Sequence, residues 1–272
     1  MKTPSKKCAI RWSGCTHVGR FRQNNEDAFL GLQFDAQEVF RLGKFGSATL
    51  EKNDFAFAVC DGMGGAKAGE YASSIAVEKI TKLLPRTFRK SPGDGKKSAA
   101  ILNQLFTEIH RALVYLGGSY EEIEGMQTTM SLGWFSPDRL FFGHIGDSRI
   151  YHLPANKTEI HQLTADDTHV GWLWRTGQIN EREARTHPRR NVLQKALGGA
   201  NQFVTPQVGA VNCGRGDVFL LCSDGLVDGL HDHELIDLLR TETGDDAAEK
   251  IVATAVKNSG RDNTTALIVQ MI

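Results

Sequence analysis

The chain has 272 residues, of which 40% are hydrophobic and 24% charged, with 28 Gly and 7 Pro. That is the composition of an ordinary globular protein and excludes disorder, collagen and coiled coil. Lys+Arg and Asp+Glu number 32 each, so no net charge draws the chain to nucleic acid or to an anionic membrane, and any charge that matters has to be local.

The first seven residues, Met1-Lys2-Thr3-Pro4-Ser5-Lys6-Lys7, are basic but lead into no apolar segment. No apolar run approaches the roughly 20 residues that cross a bilayer, so the expectation is a cytoplasmic chain with neither signal peptide nor membrane insertion. Residues 35–53 read either as a lengthened hairpin or as a recognition surface. The run 55–60 is apolar and aromatic, as a buried strand is, and so are 140–145, 218–222 and 266–269. Helical spacing appears in 68–84 (Ala72, Ile75, Ala76, Ile80, Leu83), in 98–116 (Ile101, Leu105, Ile109, Leu113) and in 245–257 (Ala248, Ile251, Val252, Ala255, Val256).

The stretch 85–98, with Pro85, Pro92, Gly93 and Gly95 and a basic run, predicts a solvated connection between the first two helices. Residues 165–190 are polar, carry His169, His187, Trp172 and Trp174, and interrupt the strand pattern as a flap would. Strands, two long helices and then more strands describe a layered sandwich rather than strict βαβ alternation. The five cysteines, Cys8, Cys15, Cys60, Cys213 and Cys222, are odd in number and lack C-x-x-C spacing, which argues against a zinc site and a disulfide framework. Cys60 and Cys222 lie in apolar runs and read as buried thiols.

Acidic residues recur where strand-like runs end: Glu26-Asp27, Asp61-Gly62, Asp147, Asp224-Gly225 and Asp262-Asn263. Singly, each is a common turn sequence. Together they would converge at one edge of a sandwich as like charges, an arrangement that is destabilising unless cations fill it. An all-carboxylate set suits Mg²⁺ or Mn²⁺, whereas zinc prefers His or Cys. A carboxylate bridging two such ions about 3.5–4 Å apart lowers the pKa of a bound water and supports in-line displacement at phosphorus, so phosphoester hydrolysis is the leading chemistry. Arg22, four residues before Glu26, can offer a fork of donors to a phosphate; the plainer alternative is that it pairs with a neighbouring carboxylate such as Asp27.

Other readings are weaker. Asp61-Gly62-Met63-Gly64-Gly65 fits neither dinucleotide-binding nor P-loop spacing, and Ser148 and Ser223 lack the Gly-x-Ser-x-Gly elbow. His144 lies inside an apolar run and reads as a satisfied core histidine.

Arg22-Gln23-Asn24-Asn25-Glu26-Asp27, Val59-Cys60-Asp61-Gly62-Met63-Gly64-Gly65 with Gly69-Glu70-Tyr71-Ala72-Ser73, and Gly125-Met126-Gln127-Thr128-Thr129 resemble the first motifs of the metal-dependent serine/threonine protein phosphatases of the protein phosphatase 2C type. The later motifs match in order: Gly143-His144-Ile145-Gly146-Asp147-Ser148-Arg149-Ile150-Tyr151, Leu163-Thr164-Ala165-Asp166, Gly216-Asp217 to Ser223-Asp224-Gly225-Leu226, and Asp262-Asn263-Thr264. The resemblance covers about residues 15–271 and is to bacterial members. It implies an α+β fold, a four-layer α-β-β-α sandwich of two antiparallel sheets flanked by antiparallel helices, with 1–272 as one phosphatase domain and 165–190 as its flap, where Gly177, His187, Pro188, Arg190 and Asn191 match.

By similarity, Asp61 bridges two Mn²⁺ or Mg²⁺ ions, the Gly62 carbonyl ligates one, and Asp224 and Asp262 hold the other. Asp147 with Asp224 holds a weaker third ion. Glu26 and Asp27 act through metal-bound waters, and Arg22 binds the substrate phosphate. Three positions depart from the family pattern without removing a ligand: Ala66 for His, Gln127 for Gly and Asp167 for His. Met63 stands where eukaryotic relatives place a His proposed as general acid, so the proton for the leaving alkoxide has to come from elsewhere. The implied function is hydrolysis of phosphoserine and phosphothreonine in proteins, in signalling that opposes a bacterial serine/threonine kinase. The alternative is a phosphatase-like module that has lost turnover and binds a phosphorylated partner.

Overall fold

The computed structural model describes residues 8–35, 37–51, 53–64, 67–88, 95–199 and 204–272. The basic stretch 1–7, the departure at Ala66 and residues 89–94 of the expected helix connection lie outside them. The first half of the chain forms β1 (Ala9–His17), β2 (Asp27–Phe34), β3 (Val39–Arg41), β4 (Phe45–Thr49), β5 (Asp54–Met63), α1 (Ala68–Phe88), α2 (Gly95–Gly117), β6 (Gln127–Thr128) and β7 (Met130–Ser136). There follow β8 (Arg139–Ile145), β9 (Arg149–Leu153), β10 (His161–Gln162), α3 (His169–Arg175), α4 (Glu181–Thr186), β11 (Leu197–Gly198) and β12 (Gln207–Asn212). The last elements are β13 (Val218–Cys222), α5 (Asp224–Gly229), α6 (Asp232–Thr241), α7 (Ala247–Asn258) and β14 (Thr264–Met271).

One antiparallel sheet runs β10-β9-β13-β14-β1-β4; the other runs β11-β6-β5-β7-β8-β12, with β2 on β5 and β3 on β2. The pleat sorts their side chains into three apolar layers. Phe55, Phe57 and Val59 of β5, Phe219 and Leu221 of β13, and Leu267, Val269 and Met271 of β14 point inward and fill the space between the sheets. Their alternates, Ala56, Ala58 and Cys60, face α1 and α2, while Leu220, Cys222, Ala266 and Ile268 face α5, α6 and α7. Three buried layers separate four tiers of structure, helix, sheet, sheet and helix, as the resemblance implies. Small residues on both partners, Ala56 and Ala58 on β5 against Ala68, Ala72 and Ala76 on α1, let that helix lie close on its sheet. Cys60 and Cys222 are fully buried, and all five cysteines are free.

Two expectations are corrected. The connection predicted for 85–98 is shorter, because α1 continues through Pro85 to Phe88 and α2 begins at Gly95. Leu84 and Pro85 are buried, and that packing overrides the local cost of a proline in the helix. The segment 35–53 is a hairpin only in its first half. β3 folds back on β2 with Phe34 opposite Val39, but β4 leaves for the other sheet and pairs with β1, Ser13 opposite Phe45. In that pairing Trp12 lies opposite Gly46 and its indole covers it closely: a Cβ at residue 46 would lie 2.5 Å from the indole Cζ2.

Candidate active site

Asp61 and Gly62 lie within β5 rather than in a turn. β6 and Thr129 keep the strand extended to its end: the Asp61 N–H donates to Thr129 Oγ1 (3.0 Å), and the Asp61 carbonyl accepts from Thr128 Oγ1 (2.9 Å) and Thr129 N (2.8 Å). Gly62 and Gly69 are needed for close approach, because a Cβ on Gly62 would lie 2.0 Å from the Gly69 carbonyl oxygen and one on Gly69 would lie 2.8 Å from Glu26 Cδ. Their bare backbones seat the Glu26 carboxyl against the first turn of α1, where unpaired helical N–H groups favour negative charge.

Asp147 sits in the bend between β8 and β9, after Gly146 at φ +106°, a left-handed conformation that suits glycine. Asp224, which also reads as a turn residue in the sequence, instead opens α5. Asp262 and Asn263 immediately precede β14.

The two sheets bring these together. One carboxylate oxygen from each of Asp61, Asp147 and Asp224 lies within 4.8 Å of the others. Arg22, Glu26, Asp61, Gly62, Asp147, Asp224 and Asp262 all line one cleft of about 420 Å³, with Asn191, Leu193 and Asn263 among the rest of its wall. Asp27 is the exception. It is directly opposite Asp61 in the β2–β5 register, but is buried behind the cleft wall, where its Oδ2 accepts from Ser223 Oγ (2.7 Å) and Thr265 Oγ1 (2.6 Å). Arg22 is ion-paired at 2.7 Å, and its partner is Asp262 rather than Asp27.

Burial, reinforced by neighbouring carboxylates, pushes Asp61 and Asp224 well above the usual carboxylate range. Burial also raises Asp27 to about 6 and Asp147 to about 7; at Asp147 the nearby Asp166 adds to it and Arg149 opposes. Glu26 is raised by its partial burial, against the pull of Arg22. Asp27 Oδ1 and Asp224 Oδ1 are buried without a hydrogen-bond partner among the described residues. An orphaned buried acceptor costs about 1–3 kcal/mol, and more when charged. Oxygen-only donors, crowded, wholly or partly buried and short of hydrogen-bond partners, fit a hard divalent cation.

Sequence reasoning names Asn263 only within a motif, yet it is the bolt of the site. Its buried Oδ1 accepts from Glu26 N (2.7 Å), and its Nδ2 donates to Val18 O (2.9 Å) and Asn24 O (3.0 Å), holding the 18–26 loop against the start of β14. Asp-Asn carries a turn signal, which hid this long-range role. His144 is a satisfied core residue, as read: its ring nitrogens bond Ser131 Oγ (2.8 Å) and Gly146 O (3.0 Å).

The 165–190 segment carries α3 and α4, capped by Thr168 and by an Asn180–Glu183 capping box. Arg149 grips Asp166 at its base with Nε to Oδ1 at 2.9 Å and Nη2 to Oδ2 at 2.7 Å. Arg190 to Asp228 (2.9 Å) and Arg185 Nη1 to Val227 O (3.2 Å) tie it to α5. Asn191 lines both the carboxylate cleft and a second, smaller one beneath this segment, which shares Asp147 and Asp224.

A family model described as protein phosphatase 2C matches residues 43–258. The serine/threonine protein phosphatase PstP of Mycobacterium tuberculosis is 30% identical over 97% of this chain and 45% of its own length, so the chain spans about half of that relative. The serine/threonine phosphatase stp of Listeria welshimeri is 31% identical over 94% of this chain and 93% of its own. Among solved structures, the catalytic domain of PstP in complex with two manganese ions superposes with a TM-score of 0.77 at 27% identity, covering 97% of this chain and 99% of that one.

Proposed function

The chain belongs to the protein phosphatase 2C family, and from that premise we propose that it hydrolyses phosphoserine and phosphothreonine in proteins, with water attacking phosphorus. The observation that carries the reading is the meeting of Asp61, Asp147 and Asp224 within 4.8 Å at the floor of an open cleft, where the buried Asp224 Oδ1 has no hydrogen-bond partner among the described residues. A module that only bound phosphopeptides would gain nothing from so costly a cluster. Asp61 with the Gly62 carbonyl, and Asp224 with Asp262, would hold two Mn²⁺ or Mg²⁺ ions, Asp61 between them, and Asp147 with Asp224 a third. Such ions supply Lewis acidity and lower the pKa of water to the neutral range.

The chain's own groups do the rest. Arg22 lies on the cleft rim, half-exposed, with Asp262 taking one of its Nη donors and its other N–H groups unpaired among the described residues, so it can clasp a phosphoryl oxygen. Glu26, steadied by the Asn263 clamp, accepts hydrogen bonds from water in the cleft. Asp27, one layer deeper, sets the charge beneath Asp61. The Met63 thioether holds no acidic proton, so the leaving alkoxide takes its proton from water or from a cleft carboxyl. The substrates are products of serine/threonine kinases, whose transfer this reaction reverses. The deciding experiment is release of phosphate from an aryl phosphate and from a phosphothreonine peptide with Mn²⁺ or Mg²⁺ and with excess chelator. Full activity in chelator, or binding of the peptide with no turnover under any condition, refutes the reading.

A further inference from the structure

Beside the carboxylate cleft lies a second surface of opposite sign. A groove of about 580 Å³ is lined by Arg20 and Phe21 from the 18–26 loop, Arg185 of α4, Arg190, and Arg261 just past α7, with Asp228 the one carboxylate in its wall among the described residues. Not all of this charge is free. Arg185 pairs with Glu181 at 3.2 Å and Arg190 with Asp228 at 2.9 Å, while Arg20 donates to the Ser259 carbonyl at the end of α7, a favourable place for a cation. Arg20 also lies 5.7 Å from the centroid of Phe21, a ring 72% exposed. Arg261 is exposed and has neither ion pair nor hydrogen bond among the described residues. In a chain of zero net charge, two guanidiniums without a carboxylate partner among the described residues, Arg20 and Arg261, therefore flank an open groove.

The groove neighbours the acid-lined cleft. Arg261 adjoins Asp262, and Arg190 adjoins Asn191, and both of those neighbours line the cleft. We propose that this groove is a docking subsite for acidic side chains that flank the phosphorylated residue of a protein substrate. The inference rests on the phosphatase reading and specifies its substrate class. An extended peptide advances about 3.3 Å per residue, so the groove would be met by residues that flank the phosphorylated one rather than by that residue itself. Carboxylates match planar guanidinium donors in charge and geometry.

The test compares phosphothreonine peptides that differ only in a pair of Glu or Gln residues, placed on each side of the phosphothreonine in turn. An exposed guanidinium–carboxylate pair is worth a factor of roughly 1.5 to 5, so two give the acidic peptide a kcat/KM about 2- to 25-fold above its Gln counterpart at low salt. The advantage shrinks as ionic strength rises. Arg261→Glu, at an exposed and unpartnered position, brings the ratio to one or below, and Arg261→Gln lowers it part of the way. Equal kcat/KM for the two peptides in turning-over wild-type protein overturns the proposal, as does an unchanged ratio in Arg261→Glu. Turnover of an aryl phosphate, which carries no peptide, is read in parallel and reports on the phosphatase reading alone. If that turnover is absent, fluorescence anisotropy of the labelled peptides still decides the matter: tighter binding of the acidic one, lost in Arg261→Glu, supports the subsite, and equal affinities overturn it.

Discussion

Replacing Asp147 by Asn should make the metal-free protein more stable at neutral pH. Burial raises this carboxyl from its ordinary value of 3.8 to about 7. At roughly 1.4 kcal/mol per pH unit, holding it ionised inside the fold at pH 7.5 costs about 4 kcal/mol. Asn keeps the shape and removes the charge, so stability should rise by about 2–4 kcal/mol, which for a chain of this size is a gain of roughly 5–12 °C in Tm. The folded chain holds protons on Asp147 and Asp27 more tightly than the unfolded chain does, so their contribution favours folding below about pH 4 and is lost as pH rises through about 6 and 7. Wild-type protein in chelator should therefore melt at a higher temperature at pH 5.5 than at pH 7.5, and Mn²⁺ should close the gap. Differential scanning fluorimetry over that range, with chelator and with Mn²⁺, reads all three. A wild-type Tm in chelator that climbs from pH 5.5 to 7.5, or an Asp147→Asn protein that melts below wild type in chelator, refutes the argument.

Asp61→Asn should lower kcat by at least about 10³-fold in a folded protein, and a loss under tenfold would place the central ligand elsewhere. Arg22→Ala should cost kcat/KM about 1.5–3 kcal/mol. Because the Arg22–Asp262 pair is half-exposed, the same change should move stability by less than about 1 kcal/mol, and a fall in Tm with kcat/KM intact would assign Arg22 to steadying the loop. Asn263→Ala removes three hydrogen bonds at once and should destabilise by about 2–4 kcal/mol, with faster amide exchange in residues 18–26 than in β13; equal protection in both would deny the clamp.

What was legible in the sequence followed from short-range pattern. The run 55–60 reads as a strand because every residue in it is apolar, and the pleat then sends alternate side chains to two different cores. The acidic positions were visible as chemistry because five of them recur at similar places. Their local conformations were not. Asp61-Gly62 and Asp224-Gly225 carry turn signals, yet one lies near the end of a strand and the other begins a helix, because distant residues decide the backbone: Thr128, Thr129 and the close approach of Gly69 at the first, the close approach of the Asn263 carbonyl to Gly225 at the second. Pro85 likewise looks like a helix stop until Leu84 and Pro85 are buried. The choice of Asp262 rather than Asp27 as the partner of Arg22 spans 240 residues and leaves no trace in local sequence. The fate of β4 depends on the bare backbone of Gly46 beneath Trp12, which no periodicity reports.

The pairing of β1 with β14 has a consequence for how the protein is made. Glu26 is fastened by Asn263, Asp27 by Thr265 and Ser223, and Arg22 by Asp262. Each pair joins residues made early to residues made 196 to 240 positions later. Ribosome-bound intermediates that lack residues 262–271 can build the β2–β5–β7 region and its helices, but they cannot close the carboxylate cleft. Contacts of such sequence separation also slow the final closure, because a long loop has to be ordered before they form. The cleft thus closes only once the 262–271 stretch has come back beside the 22–27 loop.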